Sequence, residues 1–124
     1  MTKKHSDKFV ELVNDALTRV PEISVDEVKK KLESGEDFEL IDTRESDEFK
    51  AGHLPKAKHL SKGVIERDIE DETEETDREI VLYCGGGYRS ALAADNLKKM
   101  GYPNVKSMAG GWRSWNEKGF ETEM

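Results

Sequence analysis

The sequence predicts an α/β domain with a mostly parallel sheet that is covered by helices on both faces. Three observations favour this fold. Short apolar runs typical of buried strands alternate along the chain with segments of helical periodicity. No hairpin signal joins one apolar run to the next. Polar or glycine-rich turns follow three of the runs, and parallel sheets bind their ligands at those carboxyl ends.

The first 21 residues are predicted to form a helical extension ahead of the main domain, residues 22–124. Ser6 can cap the helix and Pro21 is expected to end it. Apolar side chains recur at the spacing of one helical face: Phe9, Leu12, Val13, Ala16, Leu17 and Val20. We expect this face to pack against the main domain or against a second copy of the chain, which gives a monomer or a homodimer.

The remaining elements alternate along the chain. The predicted strands start with a short one at Ile23 and continue with Phe38 to Asp42, Ala57 to Leu60, Ile80 to Tyr83 and Asn104 to Met108. The predicted helices run from a capping box at 24–27 to Glu33, over Ser46 to Lys50, from Ser61 through Ile65, over Ser90 to Met100 and over Trp112 to Lys118. Glycines at 35, 101 and 119 are expected to stop three of these helices.

Cys84, the single cysteine, lies between the apolar run Ile80 to Tyr83 and the helix predicted from Ser90, and three glycines follow it. Glycine tolerates positive φ and close approach, so successive main-chain N–H groups in such a turn can point at one spot. A helix N-terminus and a nearby cation such as Arg89 also favour a thiolate. Cys84 could instead be an inert core residue. Three glycines add nothing to the packing of a core cysteine, so we favour a binding loop.

Length and cysteine content bound the class of protein. The chain has 124 residues, enough for one domain with its own core, and one cysteine excludes an internal disulfide. It has neither an apolar stretch of membrane-spanning length nor a secretory signal. We therefore expect a cytoplasmic protein with no membrane partner, in a compartment that keeps the thiol reduced.

The net charge of −7 comes from one segment. Residues 66–79 hold nine of the 27 acidic residues and two of the 20 basic ones, which leaves 18 of each elsewhere. We interpret this segment as a solvated acidic loop, with a docking tail as the alternative. The charge distribution gives no reason to expect a nucleic-acid partner.

Four groups of residues together resemble those of a single-domain rhodanese, a sulfurtransferase. They are Asp42-Thr43-Arg44, then Glu48-Phe49 with Gly52-His53-Leu54-Pro55 and Ala57, then Cys84 to Ser90, and finally Gly110-Gly111-Trp112. The resemblance covers nearly the whole chain except the first helix. It implies a parallel sheet of about five strands, flanked by helices on both faces, with the catalytic cysteine in a six-residue loop.

The resemblance implies that Cys84 is the nucleophile of a thiosulfate sulfurtransferase. The loop that would bind the donor and the persulfide consists of Gly85, Gly86, Gly87, Tyr88, Arg89 and Ser90. The Cys84 thiolate would take sulfane sulfur from a small donor such as thiosulfate and pass it to cyanide or a cellular thiol. Arg89 would hold the oxygens of the donor in a forked contact. No cofactor is expected.

Two positions depart from the pattern of the family. Gly85 stands where many thiosulfate-using rhodaneses have Arg or Lys, and relatives that use mercaptopyruvate often have glycine there. Those relatives tend to lack the arginine found here at Arg89, so we favour thiosulfate. Lys56 replaces a more usual glycine, which we attribute to a surface turn.

Polar residues elsewhere are assigned supporting or structural roles. Asp42 and Arg44 are predicted to form an ion pair that supports the loop from below, without taking part in the reaction. In the resembling family the histidine at His53 belongs to a structural turn, and we leave it out of the catalytic set. His5 and His59 lack partners at ligand spacing, so no metal site is expected.

Trp112 and Trp115 lie three residues apart on a predicted helix. Core packing is the favoured interpretation for both, and Trp112 is also a candidate wall of the pocket.

Two other functions stay open as alternatives. Phosphatases and arsenate reductases of the same architecture resemble this chain, but their loop has five residues between cysteine and arginine, where this loop has four. A persulfide relay module would keep Cys84 and its loop and serve a protein partner. Its docking surface would be the first helix or the acidic segment.

Overall fold

The computed structural model describes residues 5–124, so the first four residues of the predicted extension lie outside the described part. The helices are α1 Asp7–Leu17, α2 Val25–Ser34, α3 Ser46–Ala51, α4 Ile65–Glu72, α5 Tyr88–Lys99 and α6 Gly111–Glu117. The strands are β1 Glu22–Ile23, β2 Glu39–Asp42, β3 Lys58–His59, β4 Ile80–Tyr83 and β5 Val105–Met108. None of the helices in the described range is both long and apolar enough to cross a membrane.

The five strands form one sheet in the order β1-β5-β4-β2-β3, and every pair is parallel. This confirms the predicted parallel α/β fold. Strand β4 lies at the centre, with its register against β2 running from Glu39 beside Ile80 to Asp42 beside Tyr83. The carboxyl end of β4, where Cys84 follows, is therefore flanked by the ends of β2 and β5.

The sheet separates two hydrophobic cores. Alternate residues of β4 point to opposite faces, so Ile80 and Leu82 belong to one core and Val81 and Tyr83 to the other. Helices α4 and α5 contribute to the first core and helices α2 and α6 to the second. A strand buried on both faces needs apolar residues throughout, which explains why it was recognisable as a continuous run.

Helix α4 corrects two predictions. The helix expected from Ser61 through Ile65 begins only at Ile65, with Val64 as its cap residue. The segment 66–79 was expected to be a solvated loop, but residues up to Glu72 are helical. Ile65 and Ile69, four residues apart on one face, are fully buried in the first core. The helical pattern was not recognised in the sequence, because only these two apolar residues pack into the core and most of the residues around them are acidic.

The bounds of α1 and α5 also differ from the prediction. Helix α1 ends at Leu17, ahead of Pro21, because the chain turns through Thr18, whose hydroxyl donates to the carbonyl of Asp15 at 2.6 Å. Ser6 is the cap residue, but its side chain makes no capping hydrogen bond. Helix α5 begins at Tyr88 instead of Ser90, so the end of the cysteine loop is its first turn.

Helix α1 is anchored to α5. Val13 and Ala16 are buried, and Arg19 donates two hydrogen bonds to Asp95 on α5, each 2.8 Å long. The stripe predicted from the sequence thus packs against the domain. Leu12 from the same stripe is 56% exposed. The division between an extension and a main domain at residue 21 stays a prediction.

Candidate active site

Cys84 is the first residue after β4, and its thiol faces the N-terminus of α5. The N–H groups of Gly87 and Ser90 donate to its Sγ atom, with N–S distances of 3.1 and 3.4 Å. Gly87 caps α5 and Ser90 lies in its first turn. The residue is 1% exposed. Two main-chain donors at the positive end of a twelve-residue helix give the sulfur atom an environment that suits negative charge.

The glycines give the loop a rim without side chains. Gly87 has φ of 97°, and a Cβ there would lie 3.3 Å from the main-chain nitrogen of Gly110. A Cβ on Gly86 would meet no atom within 4 Å. The conformation of the loop therefore requires glycine at position 87. At Gly86 the space next to the main chain is open.

A second loop, residues 109–111 at the end of β5, braces the first. The N–H of Trp112 donates to the carbonyl of Cys84 at 2.8 Å, and the N–H of Arg113 donates to the carbonyl of Gly85 at 3.0 Å. A Cβ on Gly111 would lie only 2.3 Å from the carbonyl oxygen of Cys84. The two glycine-rich turns predicted at strand ends thus meet, and the second fixes the position of the first.

Asp42 and Arg44 form a buried ion pair at the end of β2. The Arg44 Nη2 atom lies 2.7 Å from Oδ2 of Asp42 and 2.6 Å from the carbonyl oxygen of Gly52. Burial alone would lower the pKa of Arg44, but the hydrogen bond and charge of Asp42 outweigh it and raise that pKa. The guanidinium also lies 4.5 Å from the ring centre of Trp112. The pair therefore ties β2 to the turn at Gly52 and to α6.

Arg89, the charged residue of the predicted loop, is paired with a carboxylate. Its Nη1 and Nη2 atoms lie 3.1 and 3.5 Å from Oε1 and Oε2 of Glu48 on α3. Its Nη2 atom would be 3.2 Å from a Cβ on Gly85, so the guanidinium lies beside the start of the loop. The cation expected to receive an anionic donor therefore already has an anionic partner.

Tyr88 connects the loop to the N-terminal helix. Its ring centre lies 4.3 Å from that of His5 and 5.8 Å from that of Phe9. The start of α1 thus contacts a residue of the cysteine loop, a relation that the sequence analysis did not predict.

No group of three or more potential metal ligands occurs in residues 5–124.

Ser107 and Glu48 were not predicted as site residues, whereas Ser90 was. The Ser90 hydroxyl lies 3.5 Å from Sγ of Cys84 and 2.8 Å from the hydroxyl of Ser107 on β5, and both serines are fully buried. Ser107 carried a weak signal, a polar residue in an otherwise buried strand. Glu48 was identified only as part of the family motif, and nothing in its spacing indicated contact with Arg89.

The other aromatic and histidine candidates have structural partners. His53 stacks on Phe49 with ring centres 4.0 Å apart, and its main chain pairs with Glu123. Trp115 is buried and its indole N–H donates to the carbonyl of Glu121. Trp112 packs its ring against Arg44, and a Cβ on Gly52 would lie 3.2 Å from it.

Comparison with known proteins gives three relevant similarities. A model of the Rhodanese-like domain family matches residues 24–118. YrkF of Bacillus subtilis, whose name describes a sulfur carrier protein, is 36% identical over 99 residues, which cover 80% of this chain and 52% of YrkF. The thiosulfate sulfurtransferase GlpE of Pseudoalteromonas translucida is 34% identical over 80 residues, covering 64% of this chain and 74% of that protein. The chain therefore spans about half the length of YrkF.

Among solved structures, a Rhodopseudomonas palustris protein of unknown function, described as a possible tyrosine phosphatase, has a TM-score of 0.86 with this chain. The two are 26% identical, and the match covers 99% of each chain. This similarity extends over the N-terminal helix as well as the sheet.

Proposed function

The chain belongs to the rhodanese-like domain family, and on this basis we propose that it is a sulfurtransferase that carries sulfane sulfur as a persulfide on Cys84. The observation that carries this proposal is the pair of N–H groups, from Gly87 and Ser90, that donate to the Sγ atom. Cysteine reacts as the thiolate, and N–H groups in these positions can donate hydrogen bonds to a negatively charged sulfur atom. They also suit the negative sulfur of a persulfide.

In the first half of the proposed reaction the Cys84 thiolate attacks the outer sulfur of thiosulfate. A bond forms between Sγ and that sulfur, and the sulfur–sulfur bond of thiosulfate breaks with its electron pair on the departing sulfite. The persulfide keeps one negative charge and sulfite carries two, the same total as thiolate and thiosulfate. Gly86 has no side chain that could obstruct the donor, and a Cβ there would meet no atom within 4 Å.

In the second half a thiophilic acceptor attacks the outer sulfur of the persulfide. With cyanide the product is thiocyanate, and the electron pair of the broken sulfur–sulfur bond returns to Cys84 as a thiolate. A cellular thiol would take the sulfur in the same way. The first product is released before the acceptor binds, so the kinetics should be ping-pong.

Thiosulfate is the donor that we favour among small molecules. The support comes from Arg89, whose guanidinium lies beside Gly85 at the start of the loop, and from the similarity to GlpE. A planar guanidinium matches the oxygens of a sulfonate group in a forked contact.

The test is cyanide-dependent thiocyanate formation from thiosulfate by the parent protein and by Cys84→Ser. We expect steady turnover by the parent and none by the variant, because a serine hydroxyl is not ionised at neutral pH and cannot store sulfur. Retention of activity in Cys84→Ser, or its absence in the folded parent with every sulfane donor tried, would overturn the proposal.

A persulfide relay is the second candidate, supported by the similarity to YrkF. A relay needs the same stabilised persulfide on Cys84 and differs in its acceptor, which would be a protein thiol. Slow turnover with thiosulfate and cyanide, together with fast uptake of sulfur from a protein persulfide, would favour this candidate.

A phosphatase is the third candidate, supported by the similarity to the Rhodopseudomonas palustris protein. Its weakness is the loop, in which four residues separate Cys84 from Arg89, one fewer than in the phosphatases that this loop resembles. A smaller ring suits one sulfur atom better than a tetrahedral oxyanion. Hydrolysis of an aryl phosphate without thiocyanate formation would favour the phosphatase.

A further inference from the structure

We propose that Glu48 sets how strongly the site favours singly charged over doubly charged sulfur donors: thiosulfate can still bind at Arg89, but more weakly than it would without this carboxylate. This inference rests on the proposed sulfurtransferase function and concerns which donors the site accepts. It assigns Glu48 no contact with the reacting sulfur atoms.

The contact between Glu48 and Arg89 joins two elements that are distant in sequence. Glu48 lies on α3, and Arg89 lies in the first turn of α5. Both side chains are partly buried, with 38% of Glu48 and 33% of Arg89 exposed. The carboxylate therefore occupies one edge of the guanidinium that an incoming sulfonate group would use.

Glu48 is held in this position from its own helix. The N–H of Glu45, the residue that caps α3, donates to Oε1 of Glu48 at 3.0 Å, and the same oxygen accepts from Arg89. Burial alone would raise the pKa of Glu48, but the hydrogen bonds from Arg89 and Glu45 and the charge of Arg89 outweigh it and lower that pKa. Glu48 is consequently a fixed, ionised group at neutral pH.

The neighbouring cation, Arg44, is not available to hold a donor. Arg44 is committed to Asp42 and to the carbonyl of Gly52, and it is 3% exposed. The carboxylate of Glu45 adds further negative charge near Arg89. Arg89 therefore lies among carboxylates that oppose the binding of an additional anion.

A donor that contacts Arg89 must either displace Glu48 or bind beside it. Both routes cost free energy that grows with the negative charge of the donor, because like charges repel and a displaced carboxylate loses two hydrogen bonds. Thiosulfate carries two negative charges and an aryl thiosulfonate carries one, although both present sulfonyl oxygens next to a transferable sulfur. The site should discriminate between these two donors by charge.

The test compares both donors, with cyanide as acceptor, in the parent and in Glu48→Gln. Glutamine keeps the acceptor that the N–H of Glu45 needs, so α3 remains capped while the charge is removed. We expect kcat/KM for thiosulfate to rise about fivefold, mainly through KM, and kcat/KM for the thiosulfonate to rise about twofold. Raising the salt concentration should reduce both gains.

Asp47→Asn is the matched control. Asp47 lies on the same helix and is exposed, and it makes no ion pair within the described residues. Removing its charge should leave the ratio of the two kcat/KM values within about twofold of the parent ratio, since exposed charges are well screened.

The outcomes separate the inference from the proposed function. An unchanged or lower preference for thiosulfate in Glu48→Gln, in a variant that unfolds at the same denaturant concentration as the parent, overturns the role of Glu48. Equal effects of Glu48→Gln and Asp47→Asn also overturn it. A folded parent that transfers sulfur from neither donor overturns the proposed function itself, and with it the premise of the inference.

Discussion

The main-chain N–H of Trp112 donates to the carbonyl oxygen of Cys84 across 2.8 Å. This bond joins the first turn of α6, which directly follows the loop after β5, to the loop after β4. Cys84 is therefore held in place by a residue outside its own loop. Gly111, the neighbour of Trp112, allows the close approach because it has no side chain. The geometry around the Cys84 sulfur therefore depends on a residue 27 positions later in the chain.

Gly111→Ala should separate the two loops. A Cβ would lie 2.3 Å from the Cys84 carbonyl oxygen, and Gly111 has φ of 53°. We expect kcat/KM for sulfur transfer to fall about ten- to hundredfold, because small displacements of a reacting group carry costs of that size. Steady-state kinetics and circular dichroism measure the change in activity and the retention of the fold.

Gly119→Ala is the control for backbone strain. Gly119 has φ of 71°, but a Cβ there would meet nothing within 4 Å. This variant should lose about 1 kcal/mol of unfolding free energy and keep its activity. Equal activity losses in Gly111→Ala and Gly119→Ala would contradict the bracing role of the second loop.

Ser90→Ala should impair turnover more than Ser107→Ala. The Ser90 hydroxyl contacts both the Cys84 sulfur and Ser107, whereas Ser107 contacts Ser90. Both variants should lose about 1 kcal/mol of unfolding free energy from the shared hydrogen bond. We expect kcat to fall about tenfold in Ser90→Ala and less than about twofold in Ser107→Ala, since only Ser90 reaches the sulfur. Identical kcat values would show that the hydroxyl is purely structural.

Asp42→Asn should destabilise the protein strongly. Asp42 is fully buried against Arg44, whose charge would lose its counter-ion in the variant. We expect a loss of about 3 kcal/mol of unfolding free energy in a denaturant titration. Glu33→Gln, which breaks the exposed pair between Lys29 and Glu33, should cost less than about 0.5 kcal/mol. Similar costs for the two variants would contradict a supporting role for the buried pair.

The attachment of α1 should weaken in acid. The hydrogen bond from Arg19 is the main cause that lowers the pKa of Asp95, and burial opposes it. A carboxyl group whose pKa is lower when folded stabilises the protein above its unfolded pKa, and this contribution disappears as the pH falls through the folded pKa. Asp95→Asn should therefore be less stable than the parent at pH 7, and the difference should shrink below about pH 4.

Denaturant unfolding of the parent and of Asp95→Asn, at pH 7 and at about pH 3, measures that difference in stability. Asp47→Asn serves as the comparison, because its exposed carboxylate makes no ion pair in the described part of the chain. A difference between the parent and Asp95→Asn that stays constant from pH 7 to about pH 3 would contradict the contribution of the ion pair.

The parts of the fold that the sequence predicted share a local cause. The predicted bounds of β4 were correct at both ends, because the strand is buried on both faces and Cys84 and three glycines follow it directly. Helix α2 was identified from a capping box at Ser24 and a left-handed glycine at Gly35, and both are present. Each of these signals lies within a few residues of the structure that it predicts.

The parts that could not be predicted depend on tertiary contacts. Helix α4 packs through Ile65 and Ile69, and its carboxylates concealed that short apolar pattern. Arg89 and Glu48 come together only because α3 and the first turn of α5 meet at the same edge of the sheet. Two residues that are this far apart in the sequence show no spacing pattern that indicates contact. The negative charge beside Arg89 could therefore not be predicted from the sequence.

Intact mass spectrometry after incubation with thiosulfate tests the central claim most directly. Cys84 is the single cysteine, so a mass gain of one sulfur atom identifies its location without further mapping. The account predicts this gain in the parent, its removal by cyanide and its absence in Cys84→Ser. A parent protein that stays at its original mass with thiosulfate and other sulfane donors, or a gain that persists in Cys84→Ser, would contradict a persulfide on Cys84.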